Sequence, residues 1–401
     1  MNILYASNIC ADKDFKKIYD MCNPKPLQSI QKFNKLLCEG LTSIDDVNVN
    51  IITSAPVNRK MCNKIFWKSK TEKEGKIQYN YCTMINLPII KFISLFFSSI
   101  FQTLKWVKQN KKQDKIVIYD AFCPVIANVA AFIGKKHEAT VIGMYTDVPI
   151  CMNDNLEKKS SFKNKLKNIY NNIEKHTNKL AQGYILLTEQ MNEVVNLDKK
   201  PYIVIEGVAD KNIDTDKSIQ KYTDFTLLYA GGLYKKFGVK NLVEAVKKIN
   251  DVRLILYGSG EMDGELEKIS QQFPNIEYRK TAPNEEIVTE EMKATVLVNP
   301  RFSNETYTRY SFPSKNMEYM ASGTPVLTTK LPGMPNEYEK YVYYIEDETV
   351  NGIYEKIEKL KNMDRKELNN TGKNAQKFVV KNKNNIKQAE KIYQFTCGIS
   401  N

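Results

Sequence analysis

The chain has only two histidines among its 401 residues, and its eight cysteines form no Cys-x-x-Cys pair. That supply is too thin for a His/Cys metal centre. The cysteines, at 10, 22, 38, 62, 82, 123, 151 and 397, read as reduced thiols of a cytoplasmic protein. A bilayer span takes ~20 apolar residues. The most apolar run, Leu87 to Leu104, is broken by Lys91, Gln102 and several serines, so it does not read as a span. There is no repeat of solenoid period and no RNA-binding or helix-turn-helix signature. Met1 leads directly into a strand pattern at Ile3-Leu4-Tyr5-Ala6, which leaves no room for a signal peptide.

Acidic residues are also in deficit. Lys and Arg number 59 against 46 Asp and Glu, for a net charge of +13. Such an excess favours anionic partners. The chain is rich in Lys, Asn and Ile throughout, so a compositional bias competes with that reading. With no nucleic-acid signature, diphosphates and an anionic membrane surface rank ahead of nucleic acid. Leu87–Leu104 has two readings: a core helix, or a helix lying in the lipid interface, since lysines follow at 105, 108, 111, 112 and 115.

What the chain does have is enough length for two domains and a 42% apolar content typical of globular proteins. Strand patterns at 2–6, 47–53, 115–119, 140–145, 183–187 and 202–206 alternate with helical stretches, the rhythm of a parallel α/β sheet. Residues 208–224 are polar and read as a linker. A second βα series follows, with strands at 225–230, 252–257, 276–278, 294–298 and 325–328 and a helix over 239–249. A last helix is expected over 374–395. The expected domains are 1–207, 225–373 and a terminal 374–401 segment. Asp214-Thr215-Asp216 spells D-x-D but sits in the linker, not after a buried strand, and is set aside.

The stretch Tyr310-Ser311-Phe312-Pro313-Ser314-Lys315-Asn316-Met317-Glu318-Tyr319-Met320-Ala321-Ser322-Gly323-Thr324-Pro325-Val326 carries the sharpest signal. It reads as a loop, a short helix and a buried strand. Ser311 suits an N-cap, Pro313 a first turn and Gly323 a stop. At ~100° per residue, Lys315, Glu318, Tyr319 and Ser322 share one face, and Met317, Met320 and Ala321 the other. A cation near a helix N-terminus suits a phosphate, and Glu318, one turn on, suits sugar hydroxyls. The competing reading is a capped surface helix with a solvated face.

This block resembles the donor-binding signature of family-4 glycosyltransferases of the GT-B fold, in the bacterial branch with a Phe-Pro-Ser-Lys loop. The resemblance implies two Rossmann-like domains facing a cleft, and a ribose contact for Glu318 with Lys315 near the diphosphate. Gly231, Gly232, Lys235 and Lys236, in Ala230-Gly231-Gly232-Leu233-Tyr234-Lys235-Lys236-Phe237-Gly238, match the family's glycine loop facing the donor diphosphate. The commoner pattern has arginine where Gly232 stands and lysine where Phe237 stands. Arg279 and Lys280 end a strand that the resemblance brings towards the base, with a solvated loop charge as the competing reading, and Arg301 leads into the loop before the signature. Ser311, Phe312 and Ser314 lie in the loop itself. The first of two family glutamates falls on Tyr310, with Glu305 a nearby substitute.

In the first half, Asp147 ends the 140–145 strand pattern and is the catalytic candidate, with helix capping as its alternative. Asp120 is the reserve. The resemblance implies a metal-independent, retaining transfer from a nucleoside-diphosphate sugar, UDP foremost, to a glycan or polyprenyl-diphosphate-linked acceptor in cell-surface polysaccharide assembly. No cofactor is expected, and the basic surface with the 87–104 run leaves a peripheral contact with an anionic membrane as an open expectation. Two alternatives stay open. One is a non-catalytic nucleotide-sugar-binding subunit, kept alive by Tyr310. The other is a nucleotide-sugar epimerase, for which His137 and His176 are badly placed.

Overall fold

Near-continuous apolar runs such as Ile3-Leu4-Tyr5-Ala6 and Ile116-Val117-Ile118-Tyr119 suit strands covered on both faces. The computed structural model places them at the centre of a largely parallel sheet. It describes residues 1–111, 113–148, 172–213 and 219–400. Asp214-Thr215-Asp216, Lys112 and Cys151 lie outside the described residues.

The chain divides into two units, Met1–Val208 with Asn385–Asn401, and Ala209–Asn384. In the first, the elements run β1 (Asn2–Ala6), α1 (Asp12–Met21), α2 (Gln28–Thr42), β2 (Asn48–Thr53), β3 (Phe66–Trp67), β4 (Lys70–Glu74), β5 (Ile77–Tyr81), β6 (Met84–Ile85) and α3 (Ile90–Gln109). They continue with β7 (Lys115–Asp120), α4 (Pro124–Lys136), β8 (Thr140–Tyr145), α5 (172–180), β9 (Gly183–Leu186), α6 (Asn192–Val195) and β10 (Tyr202–Val204). The eight-stranded sheet has the order β10-β9-β8-β7-β1-β2-β5-β4. Only β4 is antiparallel, hairpinned to β5 through Gly75 at φ +56°. A separate antiparallel pair joins β3 to β6.

The second unit holds β11 (Phe225–Ala230), α7 (Val239–Val246), β12 (Val252–Tyr257), α8 (Asp263–Gln272), β13 (Ile276–Tyr278), α9 (Asn284–Lys293), β14 (Val296–Asn299) and α10 (Ser314–Ala321). β15 (Val326–Thr329), β16 (Tyr343–Ile345), α11 (Val350–Lys361) and α12 (Arg365–Asn382) complete it. Its sheet is parallel throughout, in the order β13-β12-β11-β14-β15-β16. Numbered from β11, that is the doubly wound order 3-2-1-4-5-6, with its switch point between β11 and β14. Leu227, Leu254 and Val296 of the strands form one core with Leu242 of α7, Ile357 of α11 and Leu368 of α12.

Two expectations are corrected. The helix expected over 374–395 is two helices, α12 and α13 (Asn385–Ser400). Between them the chain leaves helical pairing, because Ala209 N–H donates to Lys383 O (2.8 Å) and Ala209 bridges Asn384. α13 belongs to the first unit and packs on α2 at Gly40, where a Cβ would meet Asn385 O at 2.1 Å. The second correction concerns Leu87–Leu104. As α3 it is not a core helix, since Phe92, Ile93, Phe97 and Phe101 all point outward.

Candidate functional site

In open α/β sheets, ligands bind beyond the carboxyl ends of the strands at a switch point. In the second unit that place is bounded by the loops after β11 and β14. The first is shaped by glycine. Gly231 N–H donates to Tyr257 O (3.0 Å) and Leu233 N–H to Ser259 O (3.1 Å), so the turns after β11 and β12 run backbone against backbone. Gly258, at φ +133°, permits this, because a Cβ there would meet Gly231 O at 1.8 Å. The Tyr229 hydroxyl donates to Gly232 O (2.8 Å).

Lys235–Phe237 then forms a 3-10 turn, tied down by Lys235 N–H donating to Glu261 Oε1 (2.7 Å). Gly238 follows at φ +74°, and a Cβ there would meet Pro300 O at 1.7 Å. This close approach brings the turn against the loop after β14. Arg301 lies over the Phe237 ring at 4.7 Å, and Lys236 over the Phe237 and Tyr307 rings at 5.4 and 5.9 Å. Tyr234 and Tyr307 flank Phe237 edge-on. Of the two neighbouring lysines, Lys236 is the one that joins this cluster. Burial pushes the Tyr307 hydroxyl up, with the Arg301 cation pulling it back.

The third wall is α10. Its N-cap position is Pro313 and its first helical residue Ser314, so Ser311 is not the cap expected from the sequence. Phe312 is buried against Tyr338, with ring centroids 5.3 Å apart. Gly323, at φ +77°, follows the helix end as expected. Lys315 Nζ donates to Glu318 Oε2 at 3.1 Å, with side chains 33% and 17% exposed. Burial works against the Lys315 ammonium, yet the Glu318 and Glu291 carboxylates outweigh it and hold the pKa above the ordinary lysine value. The cation therefore persists in a partly desolvated place.

Sequence periodicity put Tyr319 on the Lys315 face. Instead it is fully buried, and its hydroxyl accepts from Ala230 N–H (2.8 Å) at the end of β11. Asn316 is buried too, accepting from Asn299 Nδ2 (2.8 Å) and donating to Thr328 Oγ1 (3.0 Å). These side chains pin α10 to the ends of β11, β14 and β15, and the sequence reading missed them as positioning groups. The available signal was polar residues interrupting apolar strand runs, in Val-Leu-Val-Asn299 and Val-Leu-Thr328-Thr.

The remaining candidates are placed as follows. Arg279, after β13, spends its donors on Glu277 (2.8 Å), Glu290 (2.6 Å) and Tyr257 (3.1 Å), bracing the sheet edge. Tyr310 is half-buried at the end of a 3-10 turn, with Arg309 over its ring at 5.8 Å. In the first unit, Asp147 follows β8 and accepts from Val148 N–H (2.8 Å). The helix it was offered to cap lies outside the described residues. Asp120 ends β7 beside β1, the switch point of that sheet. It is buried, and accepts from Ser7 Oγ (2.8 Å) and Phe122 N–H (2.9 Å). Burial raises its pKa, and the two hydrogen bonds oppose the rise.

Residues 210–378 match the family described as glycosyl transferases group 1. That match covers the unit holding the glycine turns, Arg301 and α10, and it identifies that unit as a group 1 glycosyl transferase domain. No curated protein matches it. Among solved structures it is similar to a sucrose-phosphate synthase from Thermosynechococcus elongatus, at 13% identity and TM-score 0.66 over 100% of this chain and 99% of that one. It is also similar to TarM, at 14% identity and TM-score 0.65 over 99% of each chain. Anabaena HepE in complex with UDP-glucose matches at 14% identity and TM-score 0.60, over 99% of this chain and 100% of that one. At these identities the likeness establishes the fold, which is GT-B with two Rossmann-like domains.

Proposed function

We propose that the chain moves a sugar from a nucleoside-diphosphate sugar, UDP-linked by preference, to a glycan or polyprenyl-diphosphate-linked acceptor in cell-surface polysaccharide assembly. The observation that carries the donor reading is the Lys315–Glu318 pair on α10, which follows β14 and the Arg301 loop at a switch point whose other side, the turn after β11, carries Lys236. Three cations there suit a diphosphate, and Glu318 offers a carboxylate to ribose hydroxyls. The HepE complexes with UDP and UDP-glucose support a uridine nucleotide.

The reaction proposed is retaining. The bond from the anomeric carbon to the diphosphate oxygen breaks, the acceptor oxygen bonds to that carbon on the same face, and the acceptor proton passes to the departing phosphate oxygen. Fixed positive charge stabilises the negative charge that develops on the diphosphate. In this reading Lys315, Lys236 and Arg301 do that work without a metal, and Asp147 is the catalytic candidate.

Tyr310 supports a second reading, a nucleotide-sugar-binding subunit without turnover, since the resemblance places a carboxylate at that position. Thermal shift against UDP, GDP, ADP and several UDP-sugars, with and without EDTA, separates the outcomes. Stabilisation by UDP that survives EDTA supports the donor site. Stabilisation with no sugar transfer to any lipid-linked or glycan acceptor favours the binding subunit. Absence of stabilisation by every nucleotide removes both.

A further inference from the structure

α3 is apolar on both faces. Its inward stripe, Leu95, Ser99, Gln102, Thr103, Trp106 and Val107, is buried, and half of it is polar. Its outward stripe repeats at the same helical spacing through Ile93, Phe96, Phe97, Phe101 and Leu104, with Phe97 66% and Phe101 67% exposed. Most of the exposed large apolar side chains among the described residues sit on this helix or at the start of the adjoining β3, where Ile65, just before the strand, and Phe66 are also exposed. Singly exposed apolar residues are ordinary, whereas a contiguous patch marks an interaction surface.

Specific bonds fix this orientation. Thr83 N–H donates to Ser98 Oγ (2.8 Å) and Ile85 N–H to Ser94 Oγ (3.0 Å), so serines of α3 hold it on β6 and its flank. Lys91 Nζ donates to Val57 O (2.6 Å), and Asn86 Nδ2 to the carbonyls of Cys62 and Lys64, joining the Ile65–Phe66 tip to the start of the helix.

Within the segments that carry the patch, the charge has one sign. No acidic residue occurs between Asp46 and Glu72, or between Glu74 and Asp114. Arg59, Lys60, Lys64 and Lys68 flank the tip, and Lys105 and Lys108 the far end. A second copy docked here would set cations against cations in either direction, because a two-fold interface pairs a patch with itself. Among the described residues no helix is long and apolar enough to cross a membrane.

We propose that α3 and the β3 tip form an interfacial anchor for an anionic bilayer. The helix lies in the plane of the headgroups with Ile93, Phe97 and Phe101 in the upper acyl region, ~5–10 Å deep. The flanking lysines meet lipid phosphates. Nothing in this surface depends on the donor site.

The test is flotation of the full chain with vesicles of phosphatidylcholine alone and of phosphatidylcholine with phosphatidylglycerol. Binding is expected to the anionic vesicles only and to weaken with salt. Phe97→Ser with Phe101→Ser is expected to cut partitioning on the order of tenfold or more. Both side chains are mostly exposed, so an unchanged melting temperature shows that the variant folds. Trp67 gives a second readout on the unaltered chain. Trp106 is buried, so a blue shift on adding anionic vesicles reports Trp67 beside Phe66. Flotation lost in the variant, together with that shift, supports the anchor. Failure to bind anionic vesicles, binding retained by the double variant, or a dimer that the double variant dissociates would each overturn it.

Discussion

The guanidinium carbon of Arg301 sits 4.7 Å from the centre of the Phe237 ring, joining the loop after β14 to the loop after β11 across the switch point. The resemblance gives lysine at position 237 as the commoner residue. Here the ring stands in its place and the cation arrives from another loop. Cation–ring contacts contribute about 0.5–1 kcal/mol when exposed and ~2 kcal/mol or more when desolvated. Gly238 makes the contact reachable, since any side chain there would collide with Pro300 O.

If Arg301 stands in for that lysine, a compensating exchange should work. Arg301→Ala is expected to weaken UDP binding roughly tenfold, the scale of one charged hydrogen bond. Phe237→Lys in the otherwise unaltered chain sets two cations together and should help little. Combined with Arg301→Ala, it should restore much of the lost affinity. Titration calorimetry on the four proteins of this cycle decides. Additive losses with no rescue would show that Arg301 only packs the loop.

Lys315 and Glu318 are expected to act on different parts of the nucleotide. Lys315→Met should weaken UDP and UDP-sugars alike, by roughly tenfold to a hundredfold, while leaving uridine unaffected, because it removes a charged partner of the diphosphate. Glu318→Ala should weaken uridine as well. It should also abolish the preference for ribose over deoxyribose analogues that the unaltered chain shows. Equal affinities across all these proteins would remove α10 from the donor site.

Much of the second unit is readable from sequence because its strands are covered on both faces, which leaves runs such as Phe225-Thr-Leu-Leu-Tyr-Ala230 with little alternative. The edges are harder. β4, Lys-Thr-Glu-Lys-Glu, is polar on an exposed edge and gives no apolar period, and β16 is three residues long. Within the site, the Lys315–Glu318 spacing shows in the sequence because one helical turn separates them. Tyr319 is misread because a helical wheel treats a hydroxyl as polar, while this one is fully buried and bonded to Ala230. The Arg301–Phe237 contact joins positions sixty-odd residues apart and depends on a glycine's close approach, which no local pattern reveals.

Asp147 keeps two roles that a rate measurement separates. Its carboxylate accepts from Val148 N–H at 2.8 Å, a local turn bond that asparagine can keep through its amide oxygen. Asp147→Asn should therefore hold the melting temperature within a degree or so, a surface-scale effect. If the charge serves the reaction, kcat should fall by roughly a hundredfold or more with little change in donor affinity. Unchanged turnover in a stably folded Asp147→Asn would leave only the turn.

Asp120 gives a pH dependence whose sign follows from its burial. Its pKa in the folded chain is raised above the ordinary value of about 3.9, because desolvation outweighs the bonds from Ser7 and Phe122. Between those two values the folded state holds more protons than the unfolded state. Stability from this group is therefore full below the unfolded pKa and is lost as pH rises through the folded one. Asp120→Asn carries no charge to desolvate. Its amide can accept from Phe122 N–H through oxygen and donate to Ser7 Oγ through nitrogen. The variant should thus gain in melting temperature relative to the unaltered chain as pH climbs from about 4, and keep that gain at neutrality. Calorimetric melting of both proteins across pH 4 to 7 measures the difference. A constant loss in the variant at every pH would mean that the two hydrogen bonds compensate the carboxylate fully and that burial costs it nothing.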